Sequence, residues 1–174
     1  ASKHFVRMEE LHLGAGKVVA EITGAEAGLV TNGTAAALML AAAACIAGLD
    51  ADKMDRLPDT TGMKDEIITQ RIYRTDYDHA CRAAGAKFVE IGWVNGTHLQ
   101  EFEEAISDRT AAIFFNNHGQ GRHNVSALLK KVAKIANKYS VPVIVDSAGA
   151  LPPKSNLTEL ISQGADLVAL SAGK

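Results

Sequence analysis

Three short segments of this 174-residue chain carry residue types and spacings that could do chemistry. The first is Ser171-Ala-Gly-Lys174, which follows the apolar run Leu-Val-Ala-Leu at 167–170. A lysine at the mouth of a buried strand is poorly solvated as an ammonium. Its amine becomes a nucleophile of the kind that forms Schiff bases. The second is Asp146, which ends the run Val141-Pro-Val-Ile-Val145. That puts a carboxylate at the carboxyl end of a strand, where open α/β sheets bind their ligands. The third is Thr31-Asn-Gly-Thr-Ala-Ala36, a turn opening an alanine-rich helix. The free N–H groups and the dipole of a helix start favour an anion there, and the Thr34 hydroxyl adds a donor.

Each segment alone has a plainer reading. Lys174 can be a surface lysine after a glycine turn, Asp146 can cap the next turn, and Asn32 or Thr34 can cap a helix. Joined, in the order anion loop, acid, lysine, they read as a site for pyridoxal 5'-phosphate. Asn32, Gly33, Thr34 and Ser171 hold the phosphate. Asp146 keeps the pyridine nitrogen protonated, and Lys174 holds the aldehyde. Lys174 and Asp146 are the expected catalytic residues. Ala148 is small enough to lie beneath the ring, and Tyr73 can stack on its exposed face. Arg74, His118 and Arg122 are the cationic residues expected to meet an anionic substrate. A Ser-x-x-Lys also occurs in penicillin-binding serine hydrolases, but the Ser-Asp-Asn and Lys-Thr-Gly partners of that chemistry are missing from the sequence. The Gly14-Ala-Gly-Lys17 stretch lacks the spacing of a phosphate-binding Walker loop. The six histidines show no metal-type spacing, so no metal is expected.

The elements that must position these residues alternate. Helices are expected at 6–13 and 17–22, split by Gly14-Ala-Gly16, and a short buried strand at 28–31. A helix follows at 34–47, then an irregular stretch at 50–64, a strand at 66–69 and a helix at 77–84 ending on Gly85. Strands at 87–91, 111–115, 141–145 and 166–170 alternate with helices at 99–106, 125–139 and 157–161. In 125–139, Val125, Leu128, Leu129, Val132, Ala136 and Tyr139 recur at three and four, leaving Lys130, Lys134 and Lys138 as a solvated stripe. Near-continuous apolar strands between helices predict an α/β three-layer sandwich with a mostly parallel sheet.

The composition is that of an ordinary globular domain, 47% hydrophobic and 22% charged. A net charge of -2 supplies no general attraction to nucleic acid or an anionic membrane. The apolar run at 35–47 is too short to span a bilayer. Cys45 and Cys81 sit in apolar helical contexts and read as reduced buried thiols, which points to the cytoplasm. Residues 1–174 are expected to form a single cofactor-binding large domain, a piece of a longer polypeptide whose small carboxyl-terminal domain lies outside it.

The segments 21–36, Leu57-Pro-Asp-Thr-Thr-Gly-Met-Lys64, Tyr77-Asp-His79, 85–92, 141–148, Leu151-Pro-Pro153 and 164–174 resemble fold-type I pyridoxal phosphate enzymes of the selenocysteine synthase (seryl-tRNA selenium transferase) group, with the D-glucosaminate-6-phosphate ammonia-lyase branch the nearer likeness. The resemblance implies an aspartate aminotransferase-like large domain and a homodimer or higher homo-oligomer. It implies a lyase that eliminates or deaminates a small anionic amino acid or amino sugar acid. Selenium transfer on seryl-tRNA, an aminotransferase or C–S lyase reaction, and an inactive homologue are the alternatives.

Overall fold

The computed structural model describes residues 5–117 and 125–171. Five strands form one sheet: β1 (Glu66–Gln70), β2 (Lys87–Ile91), β3 (Thr110–Asn116), β4 (Val143–Ser147) and β5 (Leu167–Leu170). Their spatial order is β2-β1-β3-β4-β5, and every pairing is parallel. The chain steps from β1 to β2 on one side, then passes back over β1 to build β3, β4 and β5 on the other. The direction of winding therefore reverses between β1 and β3, and ligands bind outside the carboxyl ends of strands at such a point.

The seven helices among the described residues are α1 (Met8–Thr23), α2 (Thr34–Ala47), α3 (Ala51–Arg56), α4 (His79–Ala83), α5 (Leu99–Ala105), α6 (Val125–Lys138) and α7 (Asn156–Ser162). Side-chain alternation along the strands divides the core in two. On one face Ile67, Phe114 and Ile144 pack against Leu38 and Ala42 of α2 and Cys81 of α4. On the other, Ile68, Ile113, Val143 and Val145 meet Phe102 of α5, Leu129, Val132 and Ala136 of α6, and Leu160 of α7. This is the three-layer sandwich expected from the sequence. Each large side chain buried in either layer contributes about 1.5–3 kcal/mol. The alanines of α2 let its backbone sit close over β3, β4 and β5.

Three expectations need correction. Helix α1 is continuous from Met8 to Thr23 and is not split at Gly14-Ala-Gly16. Gly14 faces open space, and an exposed helical glycine costs only about 1 kcal/mol. The 28–31 segment is no strand and is not buried: Leu29 is 60% and Val30 50% exposed, because no neighbouring strand pairs with it. The stretch at 50–64 contains α3, started by Asp50, whose carboxylate accepts the Lys53 backbone N–H at 3.2 Å. The Lys130, Lys134 and Lys138 stripe of α6 is exposed, as its period requires.

Candidate active site

The carboxyl edge of the sheet gathers the polar residues that the core excludes. Asn116 closes β3 and Asp146 lies beside it in register on β4. Both continue the rows of Phe114 and Ile144, so both lie on the α2 face. Ser171 follows β5 two residues beyond Ala169, on that face as well, and is half-buried.

The direction of α2 brings its start to the same edge. Near its far end, Cys45 is pushed up to about 12 by burial and then by the carboxylate of Asp166, which immediately precedes β5. Its C-terminus therefore lies at the amino edge of the sheet and its N-terminus at the carboxyl edge. That N-terminus is open. Gly33 is the N-cap residue, with φ 131° and ψ 167°, and among the described residues no side chain caps the helix or places a carboxylate in its first turn. The Thr31 hydroxyl donates to the Gly33 carbonyl at 2.9 Å and fixes the turn. Asn32 and Gly33 are exposed and Thr34 is half-buried. Uncapped N–H groups and an uncompensated dipole favour an anion here.

Asp146 is 3% exposed. Its Oδ1 accepts the Ala148 N–H at 3.0 Å, and its backbone carbonyl accepts the Asn117 N–H at 2.7 Å. The Asn117 amide donates to the Ser147 hydroxyl at 3.1 Å, tying the ends of β3 and β4 together. Ala148 is half-buried directly after this carboxylate.

Asn116 is the residue that sequence reasoning missed. It is 1% exposed, and among the described residues neither its Nδ2 nor its Oδ1 has a hydrogen-bond partner. The Oε1 of Gln70, at the end of β1, is also buried and unpartnered. A buried polar group left unmade costs about 1–3 kcal/mol, so such groups at a ligand-binding edge point to a partner supplied by ligand. The one available signal was an asparagine ending a run of buried apolar residues, Ala-Ala-Ile-Phe-Phe-Asn116.

Tyr73 stands just beyond β1 in a half-buried 3₁₀ turn, and burial pushes its phenol upward. Arg74 follows it, but its guanidinium is already engaged. It pairs with the buried Asp78 and with Glu90 of β2, and it lies 4.8 Å over the Phe88 ring. In this arrangement it braces β2 against the turn after β1. Lys174, His118 and Arg122 lie outside the described residues. Cys81, fully buried, is pushed up to about 12 by burial and by Asp78 and Asp146. Neither thiol is poised to react as a thiolate. Among the described residues, no group of three or more His, Cys, Asp or Glu could hold a metal ion.

These residues fit pyridoxal phosphate: an open helix N-terminus for the phosphate, a buried carboxylate for the ring nitrogen, and an unpartnered amide beside it. A family model described as "Cys/Met metabolism PLP-dependent enzyme" matches residues 12–174. The chain is 35% identical over its whole length to 5'-C-glycyluridine monooxygenase-decarboxylase of Streptomyces sp, covering 44% of that protein. It is 29% identical over its whole length to D-glucosaminate-6-phosphate ammonia lyase of Salmonella typhimurium, covering 47%. It is also 29% identical to L-seryl-tRNA(Sec) selenium transferase of Alkaliphilus oremlandii, over 91% of this chain and 34% of that one. A solved structure of D-glucosaminate-6-phosphate ammonia-lyase superposes with a TM-score of 0.87 at 29% identity, over 98% of this chain and 46% of the other. An aspartate aminotransferase from Thermotoga maritima shares the fold, with a TM-score of 0.56 at 20% identity over 81% of this chain and 36% of the other. The chain thus spans less than half the length of the curated relatives it matches.

Proposed function

The chain belongs to the pyridoxal phosphate-dependent enzymes of the Cys/Met metabolism family, and from that premise we propose that it is a lyase acting on a small anionic amino acid or amino sugar acid, such as D-glucosaminate 6-phosphate. The observation that carries this reading is the carboxyl edge of the sheet. There buried Asp146, unpartnered Asn116 and the open N-terminus of α2 meet at one end and on one face. The similarity to an ammonia-lyase over nearly the whole chain supports the reaction class.

When bound, pyridoxal phosphate supplies an aldehyde for the substrate amine and a ring that takes up electrons from a broken bond at Cα. The protein's part is to hold and to move protons. Asn32, Gly33 and Thr34 seat the phosphate through the first-turn N–H groups of α2, and Ser171 adds a hydroxyl. Asp146, fixed by the Ala148 N–H, holds a proton on the pyridine nitrogen. Ala148 and Tyr73 would flank the ring. Lys174 would hold the aldehyde and would serve as the general base for the Cα proton. His118 and Arg122 receive the substrate's anionic groups. Arg74 contributes through its hold on Asp78 and Glu90 rather than as a free cation.

A homodimer or higher homo-oligomer belongs to this reading. Met8, Leu11, Val18 and Ile22 make an apolar stripe along α1, each more than half exposed, with Leu29 and Val30 beyond it. A contiguous apolar patch of that kind marks an interface. No helix among the described residues is long and apolar enough to cross a membrane. The cytoplasmic setting remains part of the proposal.

A second reading has one specific support, the 35% identity to a monooxygenase-decarboxylase. On this reading the bond broken at Cα is to the carboxylate, and oxygen is consumed. The deciding experiment begins with the visible spectrum of the intact protein, borohydride reduction and peptide mass mapping. Pyridoxyl fixed on Lys174 supports the shared premise, and a colourless protein that ignores added cofactor sinks both readings. Ammonia release from amino sugar acids without oxygen uptake then favours the lyase, and oxygen uptake with loss of carbon dioxide favours the second reading.

A further inference from the structure

We propose that Gly16 and Gly28 form a backbone clasp that positions the Asn32-Gly33-Thr34 turn, which makes Gly16 of α1 a positioning residue for the cofactor phosphate. The proposal rests on the cofactor reading above. Helix α1 is exposed over most of its surface, and its buried positions are Gly16 and Thr23. Thr23 shapes the exit from the helix: its hydroxyl donates to the Val19 carbonyl at 2.8 Å and accepts the Ala25 N–H at 3.4 Å. Gly24, with φ 73°, turns the chain back. Gly28 then lies directly against Gly16.

Neither position has space for a side chain. A Cβ on Gly16 would stand 2.2 Å from the Gly28 carbonyl oxygen. A Cβ on Gly28 would stand 2.6 Å from the Val19 Cβ and 2.8 Å from the Gly16 carbonyl oxygen. The obstacles include backbone atoms, which cannot rotate aside, so a methyl group at Gly16 must move a segment. The 28–31 segment is the one able to yield. It pairs with no strand and exposes Leu29 and Val30, whereas α1 is packed on α7. Five residues beyond Gly28 stands Gly33, held to Thr31 by the hydroxyl bond that shapes the turn. A displacement at Gly28 is therefore carried to the N–H groups that would seat the phosphate. The unpartnered Asn116 at the same edge marks where the rest of the ligand would lie.

The test is spectroscopic titration of the intact apoprotein with pyridoxal phosphate and with pyridoxal, which lacks the phosphate. For Gly16→Ala, the Kd for pyridoxal phosphate rises about tenfold to a hundredfold, as expected for an ångström-scale misplacement of binding groups. The Kd for pyridoxal stays within about twofold of the parent's. Alanine favours helix over glycine by about 1 kcal/mol, which offsets part of the strain and keeps the fall in the apoprotein's melting temperature small. Gly14→Ala, on the same helix with nothing within 4 Å, leaves both affinities unchanged. Equal losses for the two ligands overturn the proposal, since they report a general loosening. An unchanged Gly16→Ala protein also overturns it. If Gly16→Ala fails to fold, the same ratio is read on Gly28→Ala. Failure of both to fold assigns the pair to the scaffold and overturns the positioning role. A parent protein that binds neither ligand overturns the cofactor reading itself, a result distinct from all of these.

Discussion

The two edges of the sheet are built from similar residue types and treated in opposite ways. At the amino edge, Asp65 is 1% exposed, and its carboxylate accepts from the Thr60 hydroxyl at 2.8 Å, from the Lys87 ammonium at 2.8 Å and from the Arg109 guanidinium. Glu66 accepts from the Ser107 hydroxyl at 3.1 Å, and Asp166 accepts the Val143 N–H at 2.8 Å. At the carboxyl edge, Asn116 and the Gln70 Oε1 are also buried and have no hydrogen-bond partner among the described residues. One edge stabilises the fold by completing its polar contacts. The other leaves such groups without a partner among the described residues, at a cost of about 1–3 kcal/mol per group that a bound ligand would recover.

The comparison can be broken in order of expected effect. Lys174→Ala lowers turnover by about 10²–10⁴-fold, the range for loss of a general acid–base group, and leaves the urea midpoint of the apoprotein unchanged. A fall in midpoint would make Lys174 a structural residue. Asp65→Ala does the reverse. It costs about 2–3 kcal/mol in urea unfolding, less than a fully buried pair because Lys87 and Arg109 can turn to solvent. Cofactor affinity of the folded protein stays the same, and a matching loss of affinity would mean the two edges are coupled.

The pH dependence sharpens the contrast. Burial pushes Asp65 up, but the hydrogen bonds from Lys87, Arg109 and Thr60 outweigh it and bring the carboxyl down to about 2. A group depressed on folding adds stability above its unfolded pKa and loses it as pH falls through its folded value. About 2 kcal/mol should therefore disappear between about pH 4 and pH 2, and Asp65→Asn should flatten that slope. The smallest effect has the opposite sign. Asn116→Leu removes two unsatisfied atoms and raises apoprotein stability by about 1 kcal/mol while weakening cofactor binding. A destabilised Asn116→Leu apoprotein would mean that the carboxyl edge is not held open.

What the sequence made legible follows the same division. The strands were readable because runs such as Ala-Ala-Ile-Phe-Phe must be buried on both faces, and β2 lies at the residues expected. Asp146 drew notice because a carboxylate closing such a run stands where open α/β sheets bind ligands, and it does lie buried at the carboxyl end of β4. Asn116 did not, because having no partner is a property of the neighbourhood and leaves no mark on a single residue. Arg74 looked like a free cation because one of its carboxylate partners, Glu90, stands on another strand. The continuity of α1 was hidden for a related reason. Gly14-Ala-Gly16 resembles a helix break, and only contact with Gly28 explains a glycine at position 16. The 28–31 segment was misplaced because apolar residues announce a need for cover without saying what supplies it.

The packing of α2 sets a timetable for synthesis. This helix covers β3, β4 and β5, all of which follow it in the chain. At ribosomal rates of about 5–20 residues per second, β5 emerges about 6–24 s after α2 is complete, because roughly 120 residues separate them. Until β3 follows, about halfway through that interval, the alanine- and leucine-rich face of α2 has none of these three strands to rest on. The turn proposed to seat the anion is made before all five strands of the described sheet, and the Asp146 carboxylate comes only with β4.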